Sequence, residues 1–196
     1  AINVASSGDK IYVLPGTYEE GELDFETSSG SGVYKSLYIA SDFVRLGDTS
    51  AITSTKIDAD GEDKLFNIRG SNSSVIQGFT LTGQQTSQWE SCVIYLSDGA
   101  DVTFKDVEIK GNTWSNDANC HFLYVYNSSP KFENALIQGH GNSTTYTRAT
   151  SYITGSNTHV EFTNVIWKEN FAWDYGVLGV WSGATVTATN NLFLDN

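Results

Sequence analysis

Apolar and polar positions alternate with period two in short blocks along the second half of the chain, and the blocks recur. Val75-Ile76-Gln77-Gly78-Phe79-Thr80-Leu81 returns as Val102-Thr103-Phe104-Lys105-Asp106-Val107-Glu108-Ile109 and as Lys131-Phe132-Glu133-Asn134-Ala135-Leu136-Ile137. Two further copies are Val160-Glu161-Phe162-Thr163-Asn164-Val165-Ile166-Trp167 and Val186-Thr187-Ala188-Thr189-Asn190-Asn191-Leu192-Phe193. The pivots Gly78, Asp106, Asn134, Asn164 and Asn190 stand 28, 28, 30 and 26 residues apart. Alternation inside each copy predicts half-buried strands, and a repeat of this period predicts an all-β solenoid in which one repeat is one rung.

Each repeat carries a second apolar block after a loop of variable length: Val93-Ile94-Tyr95-Leu96, Phe122-Leu123-Tyr124-Val125-Tyr126, Ser151-Tyr152-Ile153-Thr154 and Val177-Leu178-Gly179-Val180-Trp181. Short turns follow, so a rung holds two or three short strands and one long loop. Parallel rungs of this kind stack around an apolar interior. Six residues after each pivot stand Gln84, Asn112, His140, Asn170 and Asn196. Amides stacked at one turn of successive rungs hydrogen-bond up the stack, so this column is expected to be architecture. The pattern divides one domain, 1–196, into irregular N-terminal rungs (1–64) and regular ones (65–196). In the irregular part, residues 1–6 read as the tail of a short helix. Residues 8–18 read as a strand ending in a Pro15-Gly16 turn, 37–40 and 56–58 as further strands, and 26–32 and 47–54 as polar loops.

The opening from Ala1 to Tyr18 resembles that of secreted bacterial β-helix proteins of the pectin-lyase-like class, in which a helix ending in Gly8-Asp9 leads into an apolar strand closed by Pro15-Gly16-Thr17-Tyr18. Later rungs, including Tyr124-Val125-Tyr126-Asn127-Ser128-Ser129-Pro130, resemble the same class, and the likeness covers nearly the whole chain. It implies a right-handed, single-stranded parallel β-helix of about six to seven rungs in an extracellular protein, secreted or on a bacterial cell surface. The class spans lyases, hydrolases, epimerases, adhesins and non-catalytic repeats, so fold alone does not choose among them. The opening helix is cut short at Ala1 and the chain stops in mid-rung at Asn196. The expectation is therefore a fragment of a longer protein, or ends covered by neighbouring molecules.

Charge narrows the partners. The net charge of −12 disfavours nucleic acid, which requires a basic face. No apolar run approaches the ~20 residues of a membrane-spanning helix, so no membrane insertion is expected. The two cysteines, Cys92 and Cys120, are one repeat apart, which suggests a disulfide between neighbouring rungs; the alternative is two thiols. Aligning the Tyr95 and Tyr124 blocks puts Cys92 opposite His121, so the bridge requires a slip of one residue.

Candidate chemistry is sparse. Lyases of the resembled class remove a proton beside a uronate carboxylate, using a Lys or Arg base next to an acidic metal cluster. Lys105, Lys110, Arg148 and Lys168 lie in the repeats, and none has a carboxylate cluster in the next rung. Gly139-His140-Gly141 matches a hydrolase motif of the class, but His140 falls in the ladder column and the accompanying aspartates are missing. No catalytic residues are assigned. Asp58, Asp60 and Asp63, in the run Asp58-Ala59-Asp60-Gly61-Glu62-Asp63, are a calcium-ligand set or a solvated acidic turn.

The variable loops carry one aromatic each: Trp89, Trp114, Tyr146 and Trp173. Because rungs stack, so do their loops, and a stripe of rings can bind a sugar chain; the alternative is that each ring plugs its own loop. A second aromatic column, Tyr95, Tyr124 and Tyr152, is expected to point outward and stabilise neighbouring rungs. A third outward column, Thr80, Glu108, Leu136, Ile166 and Leu192, turns apolar toward the C-terminus and suggests a covered surface. The leading expectation is an extracellular non-catalytic module that binds polysaccharide or a cell-surface glycan through Trp89, Trp114, Tyr146 and Trp173. The alternatives are a polysaccharide lyase or glycoside-hydrolase-like enzyme acting on acidic polysaccharide, and an assembly module that self-associates or docks a neighbouring domain at open solenoid ends.

Overall fold

A computed structural model describes residues 1–28, 30–83, 92–111, 121–141, 150–172 and 176–196 in full, and 85–86 and 113–114 by their backbone. The chain is an all-β parallel solenoid of about six turns. Three sheets run along it. Sheet A has seven strands, from Lys10–Val13 to Thr185–Thr189, and sheet B has seven, from Gly16–Glu19 to Leu192–Leu194. Sheet C has six, from Leu23–Asp24 to Leu178–Val180. All pairings within these sheets are parallel, and the chain visits A, B and C in turn.

The repeated block is the passage from sheet A to sheet B. Its pivots are left-handed, with φ of 85° at Gly78, 51° at Asp106, 53° at Asn134, 56° at Asn164 and 54° at Asn190. Gly, Asn and Asp reach this conformation at the least steric cost, which is why the pivot is restricted to them. The side chains then tie the corners together. Gln77 Nε2 and Asn134 Nδ2 donate to the two oxygens of Asp106 at 2.7 and 2.9 Å, and Asn164 Nδ2 donates to Asn134 Oδ1 at 2.9 Å.

Alternation sends one set of side chains inward. In sheet A, Ile76, Phe104, Phe132 and Phe162 are in register and buried. Phe132 stacks between Phe104 and Phe162 at centroid distances of 5.1 and 5.2 Å. In sheet B the matching column is Leu81, Ile109, Ile137 and Trp167, and Trp167 packs on Phe122, Phe162 and Phe193. Burial of these rings supplies the main favourable term of the fold.

The ladder six residues past the pivots forms as expected where it is described. Asn170 donates from Nδ2 to Ile137 O at 2.9 Å and accepts the His140 N–H at 3.3 Å; Asn196 repeats the arrangement one rung on, donating to Trp167 O at 3.0 Å and accepting the Asn170 N–H at 3.0 Å. Gln84 and Asn112 lie outside the described residues.

The N-terminal rungs differ from expectation in detail. Residues 8–18 form two strands, Lys10–Val13 and Gly16–Glu19, because Pro15 lacks the N–H that a continuing ladder needs. The expected loop at 47–54 contains a helix, Ser50–Ser54, preceded by Phe43–Leu46. This insertion fills the same A-to-B corner that later rungs turn with one left-handed residue. Ile2–Val4 is a 3-10 helix, held by buried Lys35, whose Nζ donates to Ile2 O at 2.8 Å and Asn3 O at 3.3 Å.

Candidate functional site

The corner from sheet B to sheet C is where the rungs differ. Chain leaves sheet B at Gly83, Gly111, Gly139 and Glu169, all left-handed, and re-enters sheet C at the strands Cys92–Ser97, His121–Tyr126, Ser151–Thr154 and Leu178–Val180. The strands on both sides are in register from rung to rung, so four variable segments leave and return at one edge of the solenoid. Two of them continue the stacking: Gln85–Thr86 pairs in parallel with Thr113–Trp114, with Gln85 opposite Thr113 and Thr86 opposite Trp114. Trp114 is thus placed by its backbone one rung from Thr86. Trp89, Tyr146 and Trp173 lie outside the described residues.

Beside this edge, the outer face of sheet C carries the expected aromatic column. Tyr95 and Tyr124 stack at 5.0 Å with an interplanar angle of 3°, and Tyr124 and Tyr152 at 5.4 Å and 8°. The register position after Tyr152 is Gly179, and the gap is filled by Trp181, which folds back to stack on Tyr152 at 4.3 Å. A Cβ at residue 179 would lie 1.8 Å from the Trp181 ring, so the missing side chain makes room for the indole. Gly179→Ala is therefore expected to lift Trp181 off Tyr152, weaken the near-UV circular dichroism of the stacked pair and cost about 1 kcal/mol. An unchanged spectrum would show that the indole does not depend on this seat.

At the opposite end the Tyr95 ring meets two cations, Arg69 Cζ at 5.3 Å and Lys64 Nζ at 5.7 Å from its centroid. Burial raises the pKa of its hydroxyl, against the nearby Arg69 charge. Each ring's faces are turned toward its neighbours in the column.

Two residues of sheet C sharpen the picture. Cys92 and His121 are register partners, as the block alignment indicates, and both are buried. The His121 ring lies 5.2 Å from that of Tyr152, on the side of the aromatic column. His121 was not legible as a site residue, because alternation says which face a side chain takes but not what covers that face. Cys120, the other half of the suggested disulfide, lies outside the described residues.

The remaining sequence candidates do not converge. His140 is wholly buried in the ladder column, where its Nε2–H donates to Ile109 O at 3.1 Å and burial lowers its pKa to about 4. Lys105, Lys110 and Lys168 pair with Glu133, Glu108 and Glu169 at 3.5, 2.6 and 3.3 Å on outer surfaces; Arg148 is outside the described residues. Asp58 uses Oδ1 to accept the Asp60 N–H at 3.0 Å, a turn-closing contact. Among the described residues no three His, Cys, Asp or Glu side chains are grouped to hold a metal ion. The apolar outward column is present, with Ile166 40% and Leu192 49% exposed. A groove of about 590 Å³ lies between it, the pivot ladder and the Ser50–Ser54 helix. No helix among the described residues is long and apolar enough to cross a membrane.

Fold and edge together define a parallel β-solenoid whose rungs vary at one corner. No family model, curated protein or solved structure matches the chain.

Proposed function

We propose that this solenoid is a non-catalytic extracellular module that binds a polysaccharide or cell-surface glycan along the B-to-C edge, with Trp89, Trp114, Tyr146 and Trp173 as the contact stripe. The observation that carries this is the parallel pairing of Gln85–Thr86 with Thr113–Trp114, which prolongs the rung stacking into the variable segments. Successive rungs of a parallel solenoid stand about 4.8 Å apart, on the scale of successive sugars in an extended glycan. The faces of the aromatic rings suit the apolar side of a pyranose, and the Asn, Gln, Ser and Thr of the same segments suit its hydroxyls. The lysines of the repeats are engaged in surface ion pairs, which favours binding over proton abstraction. Calcium at Asp58, Asp60 and Asp63 and a Cys92–Cys120 bridge are secondary parts of the proposal. A rise in melting temperature with millimolar calcium supports the first, and a mass two daltons below that of the reduced chain, restored by reductant, supports the second.

The test is glycan-array binding by the parent and by a Trp114→Ala/Trp173→Ala double variant. The parent is expected to bind, and the variant to lose about tenfold or more in affinity, on the scale of roughly 0.5–1.5 kcal/mol for each of two lost aromatic contacts. Undiminished binding by the variant removes the stripe from the account.

The exposed Ile166 and Leu192 favour a second reading, in which the outer face of sheet B docks another protein surface. Light scattering across a concentration series distinguishes self-docking: a constant monomer mass counts against a second copy as the occupant.

A further inference from the structure

The insertion at 42–54 covers one stretch of the outer face of sheet B and leaves the rest bare. Its helix Ser50–Ser54 lies over Thr80, whose Oγ1 donates to Ile52 O at 3.0 Å. Thr80 stands in the outward column that continues, one rung at a time, through Glu108, Leu136, Ile166 and Leu192. Thr80 is buried, whereas Ile166 is 40% and Leu192 49% exposed. The groove begins where the insertion stops and passes Glu108 and Leu136 to reach Ile166, with the pivot ladder along one side.

Charge in this groove is confined to the insertion end. Asp48, Asp106 and Glu108 line it, and no described Lys or Arg does. The Ser50 N–H donates to Asp48 Oδ1 at 2.9 Å and holds that carboxyl below its ordinary range. Asp106 accepts from the amides of Gln77 and Asn134, which orient the carboxylate without neutralising it. Glu108 is paired with Lys110 in the next outward column, at 2.6 Å. Neither Asp48 nor Asp106 has an ion-pair partner among the described residues. Beyond Glu108 the column is apolar.

This order of charges and apolar groups selects an occupant. The acidic end and the apolar end lie one to two rungs apart, about 5–10 Å. A segment with a cation and apolar side chains at that separation gains at both ends: charge-assisted hydrogen bonds at one, and apolar surface removed from water at the other. The strands beneath are paired on both sides, so they offer no free backbone edge, and the occupant must be held by its side chains. The net charge of −12 steers a basic protein toward this chain and opposes a second copy.

We propose that this groove docks a segment of a basic partner protein that presents Lys or Arg to Asp48, Asp106 and Glu108 and apolar side chains to Leu136 and Ile166. The inference is separate from the glycan edge; it rests on the second reading above, that sheet B docks a protein, and fixes the chemistry of the partner. The experiment is selection of a phage-displayed random-peptide library on the intact chain, followed by fluorescence anisotropy of the enriched peptides, synthesised with a label, against the parent, Ile166→Asp and Asp48→Lys. Both substitutions lie on the surface, and far-UV circular dichroism verifies that the variants fold. The enriched peptides are expected to share a Lys or Arg near apolar residues, to lose about tenfold or more in affinity for either variant, and to weaken with added salt. Peptides that lose affinity for Ile166→Asp, yet carry no basic residue and bind Asp48→Lys like the parent, overturn this inference while leaving sheet B as a docking face. No enrichment on the parent, or peptides that bind Ile166→Asp as tightly as the parent, overturns both.

Discussion

Phe132→Ala is expected to lower the unfolding free energy by about 4 kcal/mol, the scale for truncating a fully buried aromatic. The side chain is 0% exposed, and its ring lies between Phe104 at 5.1 Å and Phe162 at 5.2 Å, with Phe122 edge-on at 6.4 Å. Alanine leaves a cavity that rigid rungs on both sides cannot close, because the backbone spacing is set by ladder hydrogen bonds. The damage should also be local. In a solenoid each rung contacts only its neighbours, so amide protection is expected to fall most in the rungs of residues 104, 132 and 162 and least near Lys10–Val13. Urea unfolding measures the total and hydrogen exchange the distribution. A loss below about 1 kcal/mol would mean that the Phe column is not the core of the stack.

His140→Asn is expected to flatten the acid limb of the stability curve. Burial holds the folded imidazole neutral down to a pKa of about 4, against an ordinary value of 6.5. Between these values the unfolded chain binds a proton that the folded chain refuses. The contribution is intact above pH 6.5 and is lost progressively as pH falls to about 4, amounting to about 3 kcal/mol. Asparagine already serves this column at Asn170 and Asn196, so the substitution keeps a donor for Ile109 O and removes the titrating group. Urea unfolding at several values between pH 7 and pH 4 should show the parent losing about 3 kcal/mol more than the variant. Parallel curves would place the His140 proton elsewhere.

The regular rungs were legible because each carries the same two signals, a buried alternation and a pivot restricted to Gly, Asn or Asp. The left-handed φ values from Gly78 to Asn190 explain that restriction physically. The second rung was harder to read, because residues 42–54 interrupt its A-to-B corner with two short helices and so erase the period. Leu23–Asp24 and Phe66–Arg69 went unrecognised as sheet C strands: two to four residues give too little alternation to stand out beside an acidic turn. At the candidate site the outward tyrosine column was visible as a register, whereas the seat of Trp181 over Gly179 was not. It depends on a side chain folding back two residues, which no strand period encodes. His121 was hidden for a related reason, since its burial comes from groups outside its own strand.

The most direct test of the central claim, that the constant rungs are scaffold and the B-to-C edge is where ligand binds, is a backbone amide chemical-shift map during titration with a fragment of a polysaccharide that the protein binds on the glycan array. The shifts are expected to cluster at residues 84–91, 112–120, 142–149 and 173–175 and at the neighbouring Tyr95, Tyr124 and Tyr152, with the outer faces of sheets A and B unchanged. Shifts centred on the Glu108, Leu136 and Ile166 column, with the variable segments silent, would contradict it.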